Sequence, residues 1–248
     1  MRENTDMTGI RALAHTLLLL EPEPTACAPI VVKHPFTDSG IVALRTTGTE
    51  IMTADIMKDT AVRAKWRELI GKHIDGAQNV HQIYGMLTKS YYFAFIKFAR
   101  PYLGREDFSR ILGSAWVTAE APNQDPNFRK AGLLSLFRSA DPEALMEPHE
   151  YEQFLALDEV VTVYRGVTPY NADNIKALSW TLQKQTAEWF AGRFGQEGCV
   201  YRAEIAKEHV LALFLGRSEA EVIVDPGHLR NIEAVQEEEP EYAQTMGQ

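Results

Sequence analysis

The chain is poor in the residues that build disulfide frameworks and metal sites. Its 248 residues include two cysteines, Cys27 and Cys199, which are too few for a disulfide framework and form no Cys-x-x-Cys pair. The seven histidines are scattered, with no His-x-x-x-His spacing. These shortages argue against a disulfide-stapled fold and predict that the protein uses no metal.

Positive charge is also scarce. The chain carries 25 Lys and Arg against 34 Asp and Glu, which gives a formal net charge of -9 and a pI near 5.3. Extended non-specific binding to nucleic acid needs a basic surface, so the composition argues against that class of protein. A local basic groove on an otherwise acidic protein stays open.

No apolar run approaches the roughly 18–20 residues that a membrane span needs. Residues 11–20 loosely resemble a signal peptide, but acidic residues lie on both sides of them, at Glu3 and Asp6 and again at Glu21 and Glu23. We therefore interpret this stretch as a short amphipathic helix. The sequence predicts a soluble, cytoplasmic protein.

The pattern of apolar residues changes character near residue 158. Residues 1–157 are predicted to be a mainly helical N-terminal region, which either caps the rest or recognises a target. Residues 158–235 hold short β-branched runs, so we expect a β core there, followed by an acidic, disordered tail over 236–248. The predicted helices are 54–70, 80–98, 105–116, 128–139 and 148–157, and the predicted core strands are 160–164, 199–205, 210–215, 222–225 and 229–235.

Glu219 and Glu221 are the most informative pair in the β region. They precede an apolar run and follow a turn-like segment. Residues i and i+2 of a strand project to the same face, so we expect Glu219 and Glu221 to project together from the strand's start into one space. Paired carboxylates are costly unless water, a cation or a substrate compensates them. Taken alone, the pair is also typical of a solvated strand edge.

Two further motifs precede this pair in the chain. Arg165 follows an apolar run and stands before Gly166, whose bare backbone allows a ligand to approach closely. Ser179-Trp180-Thr181 stands directly before an amphipathic helix. Each motif by itself also fits an ordinary surface arginine or a helix cap, but their order and context favour a shared site.

The order of these motifs closely resembles that of the ADP-ribosyltransferase family of the Arg-Ser-Glu class. In both, an arginine at a strand end is followed by a serine motif before a helix and then by Glu-x-Glu. The likeness covers roughly residues 160–235. It implies an α+β fold in which the helical N-terminal region packs on a C-terminal two-sheet β core of ADP-ribosyltransferase type. The family's usual Ser-Thr-Ser is Ser179-Trp180-Thr181 here, which keeps a hydroxyl at the third position.

The resemblance implies that NAD is the substrate. Glu221 would be the catalytic glutamate, supported by Ser179, and Glu219 would handle the acceptor. Arg165 would bind the pyrophosphate, which suits the planar fork of a guanidinium. Cofactor contacts would also include Gly166 and Thr181.

Three other assignments are less direct. Trp180 and Trp189 are candidates for stacking on nicotinamide or a base, although core packing is the favoured role of Trp189. In the family's substrate-recognition segment, which would fall near residues 209–218, Arg217 and Phe214 are candidates to contact the acceptor. Phe214 fits a core position equally well.

The acceptor itself stays open. Glu219 suggests a protein arginine, whose guanidinium a carboxylate can orient. A nucleic acid is the alternative, since one helical face holds Lys89, Lys97 and Arg100. By analogy, the protein would be a toxin, a defence protein or a phage-type factor with a neutralising partner such as an antitoxin. The competing hypotheses are an NAD glycohydrolase and a non-catalytic binding module.

Overall fold

The computed structural model describes residues 2–45, 51–195 and 197–235, and it shows a mixed α+β protein. The predicted tail over 236–248 lies outside these residues. The chain forms two compact units, Met1–Glu147 and Pro148–Gln248, each of which is described by itself. In the described ranges, no helix combines the length and the apolar character that crossing a membrane requires.

The N-terminal unit is mainly helical. Its helices are α1 (Met7–Leu18), α2 (Thr60–Gly76), α3 (Val80–Tyr84), α4 (Tyr92–Ala99), α5 (Arg105–Thr118), α6 (Lys130–Ser139) and α7 (Pro142–Leu145). Two small antiparallel pairs accompany them, β1 (Glu23–Pro24) with β2 (Val32–Lys33) and β3 (Ile41–Arg45) with β4 (Ile51–Asp55).

Side chains define both ends of α1. The Asp6 carboxylate caps its start by accepting hydrogen bonds from the backbone N–H groups of Thr8 and Gly9. At the other end, the Arg67 guanidinium donates to the carbonyls of Leu18, Leu19 and Leu20. These carbonyls have no partner within the helix, so an arginine from α2 satisfies them.

Two of the predicted helices have different bounds in the structure. The helix predicted to start at residue 54 starts only at Thr60, after its cap Asp59. Residues 54 and 55 belong instead to β4, which pairs with β3. The predicted helix over 80–98 is divided into α3 and α4. The spacing of apolar residues indicates a helix locally, but it carries no information about pairing with a strand elsewhere in the chain.

The core of this unit is aromatic. The ring of Trp116 meets those of Phe93 and Phe137 edge to face, at centroid distances of 6.4 and 4.9 Å. Side chains of this size bury large apolar areas, and the tilted ring pairs add a small further stabilisation.

The C-terminal unit joins two helices to a sheet. Its helices are α8 (Pro148–Leu155) and α9 (Lys184–Ala191). Its strands are β5 (Val160–Val167), β6 (Ser179–Thr181), β7 (Cys199–Ala206), β8 (Val210–Phe214), β9 (Glu221–Val224) and β10 (Arg230–Ala234). The unit begins at Pro148 rather than at the predicted residue 158, because α8 packs on β8.

The six strands form one antiparallel sheet in the order β10-β7-β5-β6-β9-β8. The expected two-sheet core is thus a single sheet in the described residues. Two three-stranded halves are nevertheless visible in it. Strands β5 and β7 pair along eight positions, whereas the described pairing of β5 with β6 is the single position Tyr164–Thr181. The junction between the halves is therefore narrow.

A neutral histidine lies deep in the N-terminal unit. His34 is buried beside the Trp66 ring, at a centroid distance of 5.1 Å. Its Nε2 donates to the carbonyl of Leu20, and its Nδ1 accepts from the backbone N–H of Phe36. These partners fix the neutral tautomer that is protonated at Nε2. Burial lowers the pKa of His34 to about 4, with Arg67 adding to the shift.

This histidine makes the stability of the N-terminal unit depend on pH. Folding favours neutral His34, so its stabilising contribution is complete above the ordinary pKa of 6.5 and is lost as pH falls toward 4. The loss amounts to roughly 3 kcal/mol in the free energy of unfolding. Denaturant unfolding between pH 7 and pH 4 should show a flatter pH dependence for His34→Gln. The exposed-site control His73→Gln should follow the wild type, and equal slopes in all three proteins would refute the assignment.

Candidate active site

The sheet brings together three motifs that are far apart in the chain. Arg165 lies on β5, Ser179 lies on β6 and Glu221 is the first residue of β9. These strands are consecutive neighbours in the sheet. Strand order thus places the arginine, the serine and the glutamate side by side, at the junction between the two halves.

The register orders the side chains further. Tyr164, Thr181, Glu221 and Phe214 occupy directly opposed positions on β5, β6, β9 and β8. Opposed residues in antiparallel strands project to the same face. Ser179 is two residues from Thr181 and shares that face by strand alternation. Ser179, Thr181 and Glu221 therefore form a polar patch on one side of the sheet.

Arg165 contacts β6 at the backbone of Ser179. Alternation along β5 directs it to the face opposite that of Tyr164. Beyond Tyr164, however, β5 pairs with β7 and not with β6. The Nη1 atom of Arg165 donates to the carbonyl of Ser179 at 2.6 Å, across the opening between β5 and β6.

The alternation of backbone groups along β6 explains why the carbonyl of Ser179 can accept a hydrogen bond from Arg165. The backbone groups of Leu178 and Leu182 bond toward β9, through Val224 N–H to Leu178 O and Leu182 N–H to Ala220 O. Alternate residues in an antiparallel ladder direct their polar groups to opposite sides. The carbonyl of Ser179 therefore faces β5, and a guanidinium satisfies it instead of a backbone N–H.

The guanidinium of Arg165 is only partly satisfied. Its Nε atom is buried and has no hydrogen-bond partner among the residues that the structure describes. Burial lowers the pKa of Arg165 to about 10, and the nearby carboxylate of Glu221 opposes this shift. The group is therefore still a cation at neutral pH, in surroundings that give it little solvation. An anionic ligand would find a strong partner here.

Gly166 serves helix packing in this fold. A Cβ atom at this position would collide with the carbonyl of Ala187 and the backbone nitrogen of Ala191, both in α9. The space above this glycine is filled by a helix rather than open to a ligand. The predicted reason for a glycine, close ligand approach on that side, is thus replaced by close approach of α9 to β5.

The two glutamates differ in backbone conformation. Glu221 begins β9, but Glu219 follows the 3-10 turn Gly216–Ser218 with φ -90° and ψ -13°. The prediction that both lie in the strand is wrong for Glu219. Ser218 and Ala220 have φ values of 57° and 43°, which are unfavourable for residues with a Cβ. The orientation of Glu219 is therefore set by a turn, not by strand alternation.

Thr181 holds this turn on the β6 side. Its hydroxyl donates to the carbonyl of Glu219 at 2.6 Å and accepts from the backbone N–H of Gln183 at 3.1 Å. The hydroxyl is thus engaged with protein groups and links the Ser-x-Thr segment directly to the Glu-x-Glu segment. Its visible role is to position Glu219.

Two of the three aromatic candidates lie inside the unit. Trp180 and Phe214 are each 2% exposed, and the indole N–H of Trp180 donates to the carbonyl of Ala177. Buried side chains offer no face for stacking on a ligand, so both residues act in packing. Trp189, for which core packing was favoured, is instead 61% exposed, with the Arg193 guanidinium 5.3 Å from its ring. The side chain of Arg217 lies outside the described part of the structure.

One residue near the site carries no recognisable signal in the sequence. Glu150 lies in α8, and its Oε1 accepts from the backbone N–H of Leu215, just before the turn that leads to Glu219. A glutamate in a short helix gives no indication of such a contact. Across residues 2–45, 51–195 and 197–235, no group of three or more His, Cys, Asp or Glu side chains is arranged to hold a metal.

Comparison with known proteins adds no assignment, because no family model, no curated protein and no solved structure matches this chain.

The packing role of Gly166 is directly testable. In Gly166→Ala, the new methyl group would force α9 away from β5, and overpacking of this kind costs about 1–3 kcal/mol or more in the free energy of unfolding. Equilibrium urea denaturation measures this loss. Gly192→Ala, at the end of the same helix with ordinary contact distances, is the control and should unfold like the wild type. Equal stability of all three proteins would contradict the packing assignment.

Proposed function

We propose that the C-terminal unit is an NAD-dependent mono-ADP-ribosyltransferase that modifies a macromolecule inside the cell. The observation that carries the proposal is the meeting of Arg165, Ser179 and Glu221 on three neighbouring strands. The fold gives these residues a common location that their positions in the chain do not require. The buried, incompletely bonded guanidinium between two strands supports the assignment, since it suits a diphosphate.

In the proposed reaction, the carboxylate of Glu221 and the guanidinium of Arg165 have different roles. Transfer of ADP-ribose breaks the glycosidic bond from the ribose C1′ to the nicotinamide nitrogen, and the bonding electron pair leaves with nicotinamide. Positive charge grows on the ribose, and a fixed carboxylate stabilises it as it develops. Glu221 is the proposed carboxylate, and Ser179 shares its face of the sheet. Arg165 would hold the pyrophosphate at a fixed distance from this centre.

The second half of the reaction requires an acceptor. A guanidinium nitrogen of an acceptor arginine attacks C1′ and loses a proton, which a carboxylate can accept or relay. Glu219 is the proposed group for orienting such an acceptor. Its place in a turn, two residues before Glu221, separates this role from that of the strand glutamate.

NAD glycohydrolysis is the second candidate function. Strand alternation would have aligned both carboxylates toward one space, but Glu219 follows a turn with a helical backbone. If its side chain is directed elsewhere, water becomes the acceptor at C1′. The product is then free ADP-ribose, with no label on any macromolecule.

The first experiment measures transfer and cleavage together. The purified chain is incubated with NAD labelled in its adenosine part and with a cell lysate that is then separated into protein and nucleic-acid fractions. We expect label in one fraction and release of nicotinamide. Glu221→Gln should lower both by about a hundredfold or more, the loss typical for one electrostatic stabilising group. Glu208→Gln, on an exposed glutamate of the same unit, should retain both activities.

The outcomes separate the candidates. Nicotinamide release without labelled macromolecules would replace transfer by glycohydrolysis. Absence of both products, together with no detectable NAD binding, would leave a non-catalytic binding module. The fraction that carries the label identifies the acceptor as protein or nucleic acid. Loss of label when a purified binding protein is added would reveal the proposed neutralising partner.

The role of Arg165 predicts a defect in NAD binding. Arg165→Lys keeps the positive charge but loses the planar fork, so NAD affinity should fall by about ten- to a hundredfold, as expected for lost charge-assisted hydrogen bonds. Calorimetric titration with NAD checks this. Arg202→Lys is the control, because this arginine is already paired with Glu204 on its own strand and with Glu233 on β10. Unchanged affinity in Arg165→Lys would refute the assignment.

A further inference from the structure

Glu150 connects α8 to the segment that carries the candidate catalytic glutamates. This glutamate is only 5% exposed, and its Oε1 lies 2.7 Å from the backbone nitrogen of Leu215. A carboxylate is expensive to bury unless hydrogen bonds satisfy it. A short bond from a backbone N–H to a carboxylate is among the stronger hydrogen bonds in proteins. The contact is therefore a firm attachment point for the chain at Leu215.

Leu215 is the entrance to the turn that leads to Glu219. The N–H of Ser218 donates back to the carbonyl of Leu215 at 3.2 Å, which closes the turn. The far end is held by β6, through Thr181 Oγ1 to Glu219 O and Leu182 N–H to Ala220 O. Two elements from different parts of the unit, α8 and β6, thus grip the two ends of residues 215–220.

The backbone between these anchors is in an unfavourable conformation. Ser218 and Ala220 both have positive φ values although neither is glycine. Such conformations are unfavourable for residues with a Cβ, and they persist where the surroundings determine the conformation. The two anchors provide that determination, so removing one of them should allow the turn to relax.

We propose that Glu150 is a positioning residue that fixes the 215–220 turn and thereby holds Glu219 in a set orientation relative to Glu221. This inference rests on the proposed function and extends it. With the turn fixed, Glu219 faces an acceptor at C1′ and transfer is favoured over hydrolysis. With the turn released, Glu221 still supports cleavage of NAD, but water captures a larger share of the ADP-ribosyl group.

Two measurements on the full chain test this. Hydrogen exchange at residues 215–220 reports the anchor without reference to activity. The ratio of labelled macromolecule to free ADP-ribose reports the partition. Glu150→Ala should exchange at least about tenfold faster in this segment, because a hydrogen bond to a charged group is lost. The transfer-to-hydrolysis ratio should fall severalfold while total nicotinamide release changes by less than about twofold, since Arg165, Ser179 and Glu221 are untouched.

Three further variants sharpen the test. Glu150→Gln keeps an acceptor oxygen and should restore both readouts. Glu152→Ala, on an exposed residue of the same helix, should resemble the wild type. Glu150→Asp keeps the charge but draws the carboxylate back from the N–H of Leu215 by one methylene, so it should also speed exchange and lower the ratio. That variant decides the question if Glu150→Ala fails to fold.

Each outcome has one meaning. Unchanged exchange at residues 215–220 in Glu150→Ala would overturn the anchor. Faster exchange with an unchanged product ratio would overturn the effect on partition while the proposed function stands. Absence of NAD cleavage by the wild type would overturn the proposed function and the partition together, and the exchange measurement would still decide the anchor.

Discussion

The narrow junction between β5 and β6 is the constraint on which the rest of the C-terminal unit depends. Among the described residues, one paired position and one arginine side chain join the two halves of the sheet. A fully paired strand would have used the carbonyl of Ser179 in its ladder. Because the strands part here, a cation can enter between them and remain within reach of a carboxylate. The opening in the sheet and the candidate site are the same feature.

Both helices of this unit support the junction from outside it. Strand β5 is held by α9, whose backbone approaches closely enough that only a glycine fits at position 166. The segment before β9 is held by α8, through the buried carboxylate of Glu150. One support depends on the absence of a side chain and the other on a charged one. Together they restrain the two strands that carry the arginine and the catalytic glutamate candidate.

The sequence revealed the strands and the chemical groups of this site better than its shape. The β-branched run before Arg165 and the apolar run after Glu221 predicted β5 and β9 correctly, because burial of a strand leaves a local pattern. The backbone turn at Glu219 was missed, since both glutamates were expected to project together from the start of the strand. Its conformation is held by two hydrogen bonds to residues distant in the chain: the Thr181 hydroxyl donates to the carbonyl of Glu219, and the Glu150 carboxylate accepts from the N–H of Leu215.

Other differences have the same origin. Gly166 was singled out for close approach of a ligand, whereas the structure packs a helix that begins many residues later against it. Trp180 was a candidate for stacking on a ligand and Phe214 for contacting the acceptor or packing in the core, whereas the structure buries both side chains. The start of the C-terminal unit also moved to Pro148, because α8 packs on β8. A single sequence shows which side chains are present, while the pairing of distant strands decides which of them remain accessible.

The order of the strands also determines when the candidate site is assembled during synthesis. Arg165 and Ser179 emerge from the ribosome well before Glu221, and β6 lies between β5 and β9 in the finished sheet. A nascent chain that ends before β9 therefore holds an arginine without its nearby carboxylate and a β6 strand with one edge unpaired. Such an exposed edge is a site for chaperone binding or for misassociation with other chains. The candidate site is thus incomplete until β9, which carries its glutamate, has been translated and inserted.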